Sequence, residues 1–141
     1  MSSRPRQSLT LTLLQAREAA MRFFRPSLNE HGLTEQQWRV IRILRQQGEM
    51  EIYRLADLAC ILKPSMTGVL VRMEAAGLVK RRKAETDQRR VLVELAQKGE
   101  EIFGSMSQRM EANYQALQGQ FGEEKLQQLL GLLDELKQVR R

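Results

Sequence analysis

Residues 78–95, LVKRRKAETDQRRVLVEL, constrain this chain more than any other stretch. They predict two short strands joined by a charged tip. Leu78 and Val79 open the first strand. In the second, Val91, Val93 and Leu95 alternate with Leu92 and Glu94, the period of a half-buried strand. Between the strands lie Lys80, Arg81, Arg82, Lys83, Arg89 and Arg90, against Glu85 and Asp87. That leaves a surplus of four positive charges out of the chain's net six. A thin hairpin with this much like charge is expected to face an anionic partner, and double-stranded DNA leads the candidates.

Composition narrows the class. A chain of 141 residues, 42% hydrophobic, is expected to form a single domain with a modest core. The sequence pI of about 10.0 favours a polyanion without naming it. No apolar run approaches the roughly 20 residues that span a bilayer. The N-terminal MSSRPRQSLTLTLLQ lacks an apolar signal region with a small-residue cleavage site. A cytoplasmic protein with no membrane partner is therefore expected. One cysteine, Cys60, excludes an intrachain disulfide, and one histidine, His31, leaves no zinc cluster, so no metal or cofactor is expected. With 3 prolines and 9 glycines, most of the chain is free to be helical.

Periodicity places the helices. Leu9, Leu13, Ala16, Ala20 and Phe23 predict a first helix over about residues 8–29, kinked or broken at Pro26. Thr34 and Gln37 have the spacing of a capping box, Leu33 and Trp38 that of a hydrophobic staple. They open a second helix with Trp38, Ile41 and Leu44 buried, ending at Gly48. A short third helix is expected over about 52–60, with Cys60 as a small buried residue at the end of its apolar face. Pro64 suits the first position of a fourth helix running to about residue 76. Met66, Val69, Leu70 and Met73 face inward there, Ser65, Thr67, Gly68, Val71 and Arg72 outward, and Gly77 terminates it. Two further helices are expected over about 97–118 and 123–139, with Gly119 and Gly122 flanking the break.

Two short helices joined by a tight turn and followed by a basic hairpin form a winged helix-turn-helix: mainly α, with a small β-hairpin wing. A helix fits the major groove, where base edges are distinguishable. The fourth helix offers Ser65, Thr67 and Gly68 near its N-terminus, small enough for close approach, and Arg72 to bond guanine or phosphate. Gly68 costs about 1 kcal/mol in a helix interior relative to alanine, which close approach of DNA would explain; a merely tolerated glycine is the alternative. Arg54 and Lys63 are read as ordinary surface. The leucine-rich terminal helices have no third layer to cover them, so a homodimer seam is expected. Its two-fold axis would match a pseudo-palindromic operator.

The runs LADLACILKPSMTGVLVRMEAAGLVKR and DQRRVLVELAQKGEEIF resemble the MarR type of transcriptional regulator. The strongest elements are EAAGLVKR and the D-x-R formed by Asp87 and Arg89. LLQAREAAMRFFRP, LTEQQWRVIRIL and ACILKPSMTG are closer still to the subgroup of homoprotocatechuate degradation operon repressors. A fatty-acid-responsive, efflux-controlling branch shares much of the pattern. The resemblance implies a homodimer with dimerisation helices over about 8–31 and 97–141 around a DNA-binding lobe over about 34–95. It implies Arg89 in the minor groove and Asp87 holding the wing by a salt bridge; Arg90 of the basic hairpin is a further candidate DNA contact. It also implies repression of an aromatic-catabolism operon, relieved by a small aromatic acid. Such an acid needs an apolar slot, an aromatic wall and a cation, types that Arg17, His31, Trp38 and Arg39 supply. Two departures stand out. Leu62 replaces a serine cap before the recognition helix, and Ala96 a threonine cap before the fifth helix.

Rival classes are weaker. A non-specific architectural DNA-binding protein needs the charge but neither the D-x-R wing nor the polar helix face. An enzyme is remote: Ser65 has no base in a nucleophile motif, and the paired glutamates at 100–101 and 123–124 sit near helix N-termini, where acids are favoured.

Overall fold

The computed structural model describes residues 5–141. Its elements are α1 (Leu9–Met21), α2 (Arg25–Glu30), α3 (Glu35–Gln47), β1 (Met50–Glu51), α4 (Ile52–Ala59), α5 (Lys63–Ala75), β2 (Val79–Lys83), β3 (Val91–Leu95), α6 (Gln97–Phe121) and α7 (Glu123–Lys137). They divide into two compact units. One comprises the chain through Pro26 with Arg109–Arg141, the other Ser27–Gln108.

The Ser27–Gln108 unit holds the core. α3 begins as its sequence predicts. The Gln37 N–H donates to Thr34 Oγ1 at 3.0 Å, and the Thr34 N–H donates to Gln37 Oε1 at 3.1 Å. Leu33 and Trp38 are both buried, closing the staple. Trp38, Val40, Ile41 and Leu44 form the inner stripe. Replacing Thr34 with alanine leaves the Gln37 N–H without its acceptor and is expected to cost about 1 kcal/mol, read as a lower urea midpoint with an unchanged m-value.

α4 packs Ile52, Leu55, Ala56 and Ala59 inward. Cys60, expected to be buried, is exposed instead. α4 ends there in a left-handed conformation (φ 55°), which turns the residue out of the apolar face, and Ile61 takes the buried position. In α5, Lys63 and not Pro64 is the first helical residue. Pro64 is tolerated one place further in because N–H groups of the first turn have no intrahelical acceptor. Met66, Val69, Leu70 and Met73 are buried, as their spacing requires. Leu62 caps α5 without a side-chain hydrogen bond. At the other end Gly77 (φ 77°) donates to Glu74 O at 3.0 Å and Leu78 to Met73 O at 2.9 Å. These are the two bonds of a Schellman cap, and they launch the chain into β2.

The hairpin pairs Val79 with Leu95 through Lys83 with Val91. A third strand joins it, for β1 pairs Met50 with Val93 and Glu51 with Leu92, giving the antiparallel order β1-β3-β2. Two residues are too few to show a strand period, so β1 has no periodic signature.

The other unit is built differently. The first predicted helix is two: the break falls at residues 22–24, and Pro26 sits in the first turn of α2. Proline's missing N–H is the one that would have bonded the Arg22 carbonyl in a continuous helix, so the chain breaks a turn before the proline. α6 runs straight through Gly119, and Gly122 (φ 111°) alone makes the turn into α7. Within this unit α1 buries no residue, and α7 buries only Leu126. Leu9, Leu11, Leu13 and Leu14 of α1 and Leu129, Leu130, Leu132 and Leu136 of α7 are exposed. Helices that bury so little of their own apolar surface leave it available to a partner. Among the described residues, no helix is long and apolar enough to cross a membrane.

Candidate nucleic-acid interface

α5 presents one outward face. Ser65, Thr67 and Arg72 are exposed and Gly68 is half-exposed. The Arg72 guanidinium lies back along the helix, its Nη1 3.5 Å from where a Gly68 Cβ would stand. A methyl group there meets only ordinary van der Waals contact, so internal packing does not demand glycine.

The wing tip is ordered by Asp87. Its carboxylate accepts the Arg89 backbone N–H at 3.0 Å and the Arg89 Nε at 3.2 Å. Its carbonyl accepts the Arg90 N–H at 3.0 Å. The bond from the Arg89 side chain, and then that from its backbone, hold the Asp87 carboxyl below its ordinary value of 3.8. Arg89 itself is held by its base while its side chain stays 91% exposed. A depressed carboxylate contributes its stabilisation above its unfolded value and loses it as pH falls through the folded value. The tip is therefore expected to stay closed through mild acid and to open only below about pH 3.8. The check is the NMR titration midpoint of the Asp87 carboxyl; a midpoint at or above that value would mean the bridge does not hold the tip.

The folded surface corrects the charge argument made from the hairpin alone. Arg81 bonds Glu74 at 3.0 Å, Arg82 bonds Glu49 at 2.8 Å and Arg90 bonds Glu51 at 3.1 Å. Three of the hairpin's six basic residues are thus matched by glutamates from outside it. Arg81 likewise holds the Glu74 carboxyl below its usual range. Glu49 and Glu51 lie 33 and 39 residues from their partners, a distance at which a sequence gives no pairing signal. The motif Glu49-Met50-Glu51, two acids flanking a buried apolar residue, was the one available hint.

The four candidate ligand residues fall in both units. Arg17 lies on α1 and pairs with Glu18 at 3.5 Å. Trp38 is 7% exposed and stacks on Phe103, with ring centroids 5.7 Å apart, so it serves the core. His31 Nδ1 lies 3.0 Å from the Ser27 carbonyl oxygen. Arg39 is half-buried, and its Nε is buried without a hydrogen-bond partner. Among the described residues, no group of three or more potential ligands could hold a metal ion.

These features have relatives. The MarR family model matches residues 33–91, the span from the α3 staple to the start of β3. Over 128 residues, 91% of this chain and 86% of the other, the sequence is 49% identical to the homoprotocatechuate degradative operon repressor of Escherichia coli. The chain belongs to the MarR family. Its members are DNA-binding transcription regulators rather than enzymes, and the fold is their winged helix-turn-helix. The crystal structure of the transcriptional regulator PA4135 superposes with a TM-score of 0.94 at 71% identity, covering 96% of this chain and 100% of that one. NadR in complex with 4-hydroxyphenylacetate gives 0.85 at 42% identity, covering 99% of both chains.

Proposed function

We propose that this protein is a cytoplasmic, homodimeric repressor that occupies a pseudo-palindromic operator and is released by an aromatic acid of the hydroxyphenylacetate class. The operon it controls serves aromatic catabolism. The observation that carries the reading is an arginine presented at the tip of a braced wing, beside a recognition helix with a small polar face, in a chain 49% identical to a homoprotocatechuate operon repressor.

Ser65, Thr67 and Gly68 allow α5 to approach the major groove, and Arg72 reaches a base edge or a phosphate. Arg89 enters the adjacent minor groove, with Asp87 fixing its root. The exposed leucines of α1 and α7 supply the dimer seam. Arg72→Ala is expected to cost about 1–3 kcal/mol of operator binding, confined to one base position, if Arg72 reads a base. An equal loss on every sequence would make it a phosphate contact. The near-neutral wing argues against a purely architectural DNA binder, which depends on uncompensated charge.

The inducer class rests on NadR, a relative that binds 4-hydroxyphenylacetate. Within the Ser27–Gln108 unit the groups proposed for the acid are His31 and Arg39; the unpartnered Nε of Arg39 favours it as the cation for a carboxylate. Release requires the acid to bind the DNA-incompetent state more tightly than the competent one, since affinity alone shifts nothing.

The test is a gel-shift titration of the protein against its own upstream DNA, with a scrambled competitor, with and without 4-hydroxyphenylacetate and 3,4-dihydroxyphenylacetate. Specific binding relieved by either acid supports the whole reading. Specific binding indifferent to both removes the inducer class and turns attention to long-chain fatty acids. Equal binding to scrambled DNA overturns sequence-specific repression.

A further inference from the structure

The three-stranded sheet sorts the wing's arginines onto two faces. Met50, Val93 and Arg81 share one cross-strand row, and Glu51, Leu92 and Arg82 share the next. Successive residues point to opposite sides of a sheet. Met50 and Val93 are buried in the core, so Glu51, Leu92 and Arg82 belong to the outer face. There Arg82 is gripped in a fork. Its Nε donates to Glu49 Oε2 at 3.1 Å and its Nη2 to Glu49 Oε1 at 2.8 Å. Beside it the Arg90 Nε donates to Glu51 Oε2 at 3.1 Å. The two acids flank Met50, so one short segment of chain holds two arginines of the wing around Leu92.

A carboxylate that takes a guanidinium in this fork occupies the geometry a phosphate would take. Exposed ion pairs of this kind contribute little to stability; Arg82 and Arg90 are each about 50% exposed. Their larger consequence is electrostatic. Each clasped arginine is withheld from the counterion-releasing contacts that drive sequence-independent binding. Only Arg89, bridged within its own tip and 91% exposed, stands clear of the sheet.

We infer that Glu49 and Glu51 are specificity-determining residues: they mask Arg82 and Arg90 with internal carboxylates in the place of phosphate, and so suppress binding to non-cognate DNA. This rests on the DNA-binding reading above. The masking leaves discrimination to α5 and Arg89, because sequence-independent affinity is what competes with the operator across a genome.

The experiment measures anisotropy of the full-length protein on its upstream DNA and on a scrambled duplex, at a series of salt concentrations. In Glu49→Gln/Glu51→Gln, scrambled-duplex binding is expected to tighten. Its salt slope should steepen by about 0.9 per released arginine, and the ratio of specific to non-specific affinity should fall. Between about 50 and 200 mM salt, each released arginine then adds about a threefold loss of scrambled-duplex binding. Glu49→Gln/Arg82→Gln, which removes acid and base together, is expected to return the Arg82 share of that change to the wild-type value. Arg82→Gln alone leaves Glu49 as an unpaired carboxylate and is expected to weaken both affinities, but by less than Arg89→Ala, which deletes an arginine that no residue outside the tip masks. Circular dichroism melts confirm that each variant is folded. Unchanged scrambled binding in the double glutamine variant overturns the masking role while leaving DNA binding by the wild type intact. So does a weakening of scrambled-duplex binding in Arg82→Gln as large as that in Arg89→Ala. Failure of the wild-type protein to bind either DNA would overturn this inference and the repressor reading together.

Discussion

Gly99→Ala is expected to lower thermal stability by roughly 8 °C. Gly99 lies in the first turn of α6, where that helix presses on the end of the recognition helix and the start of the hairpin. A Cβ there would collide with the Leu78 carbonyl oxygen and come within 2.9 Å of Leu95 Cδ2. The carbonyl has nowhere to go. It accepts the Ala96 N–H at 3.0 Å, and the Leu78 N–H is itself bonded to Met73 O at 2.9 Å. Relief of the overlap therefore moves α6 away from the sheet or breaks the Schellman cap that positions the wing. Overpacking against fixed backbone costs about 1–3 kcal/mol. About 2–3 kcal/mol at roughly 3–4 °C per kcal/mol gives the expected shift for a chain of this size. Gly104, in the same helix with nothing within 4 Å of its Cβ position, is the matched control. Alanine there gains up to about 1 kcal/mol of helix propensity. Melts of both variants at one protein concentration make the comparison. Equal stability would show that α6 is free to shift and that the close approach is incidental.

Arg89→Ala is expected to reduce operator affinity by about ten- to a hundredfold per half-site without changing the melt. The side chain is 91% exposed and, among the described residues, bonds to Asp87 on its own tip, so its removal leaves the core intact. A dimer places two copies on one operator. The salt slope of operator binding should then fall by nearly 2, about 0.9 for each phosphate-proximal cation lost. Anisotropy titrations at several salt concentrations read both quantities. Unchanged affinity and slope would mean that the wing does not enter the complex. Asp87→Asn should act in the same direction but less, because the arginine remains and loses only the acid that holds its root.

Several features of this molecule are written locally. The buried stripe of α5 follows from its spacing. The α3 start follows from Thr34 and Gln37, three residues apart, which need only each other's backbone to form a cap. The D-x-R tip has the same property: Asp87 meets the N–H and the side chain of a residue two positions on. Local steric rules had less reach at Pro26, whose missing donor moved the break to residues 22–24, and at Cys60, whose left-handed turn carried it out of the apolar face.

By itself, then, the sequence determined the helix faces, the α3 cap, the hairpin and its acid-braced arginine, because each depends on residues within a turn or two of one another. The tertiary structure alone decided which of the wing's charges are free. Glu49 and Glu51 reach Arg82 and Arg90 only because a two-residue strand pairs with β3 and brings them across more than thirty residues of chain. The tertiary structure also decided that Gly99 must be a glycine. The obstacle is the backbone of Leu78, and no pattern of side chains records where a distant carbonyl will lie.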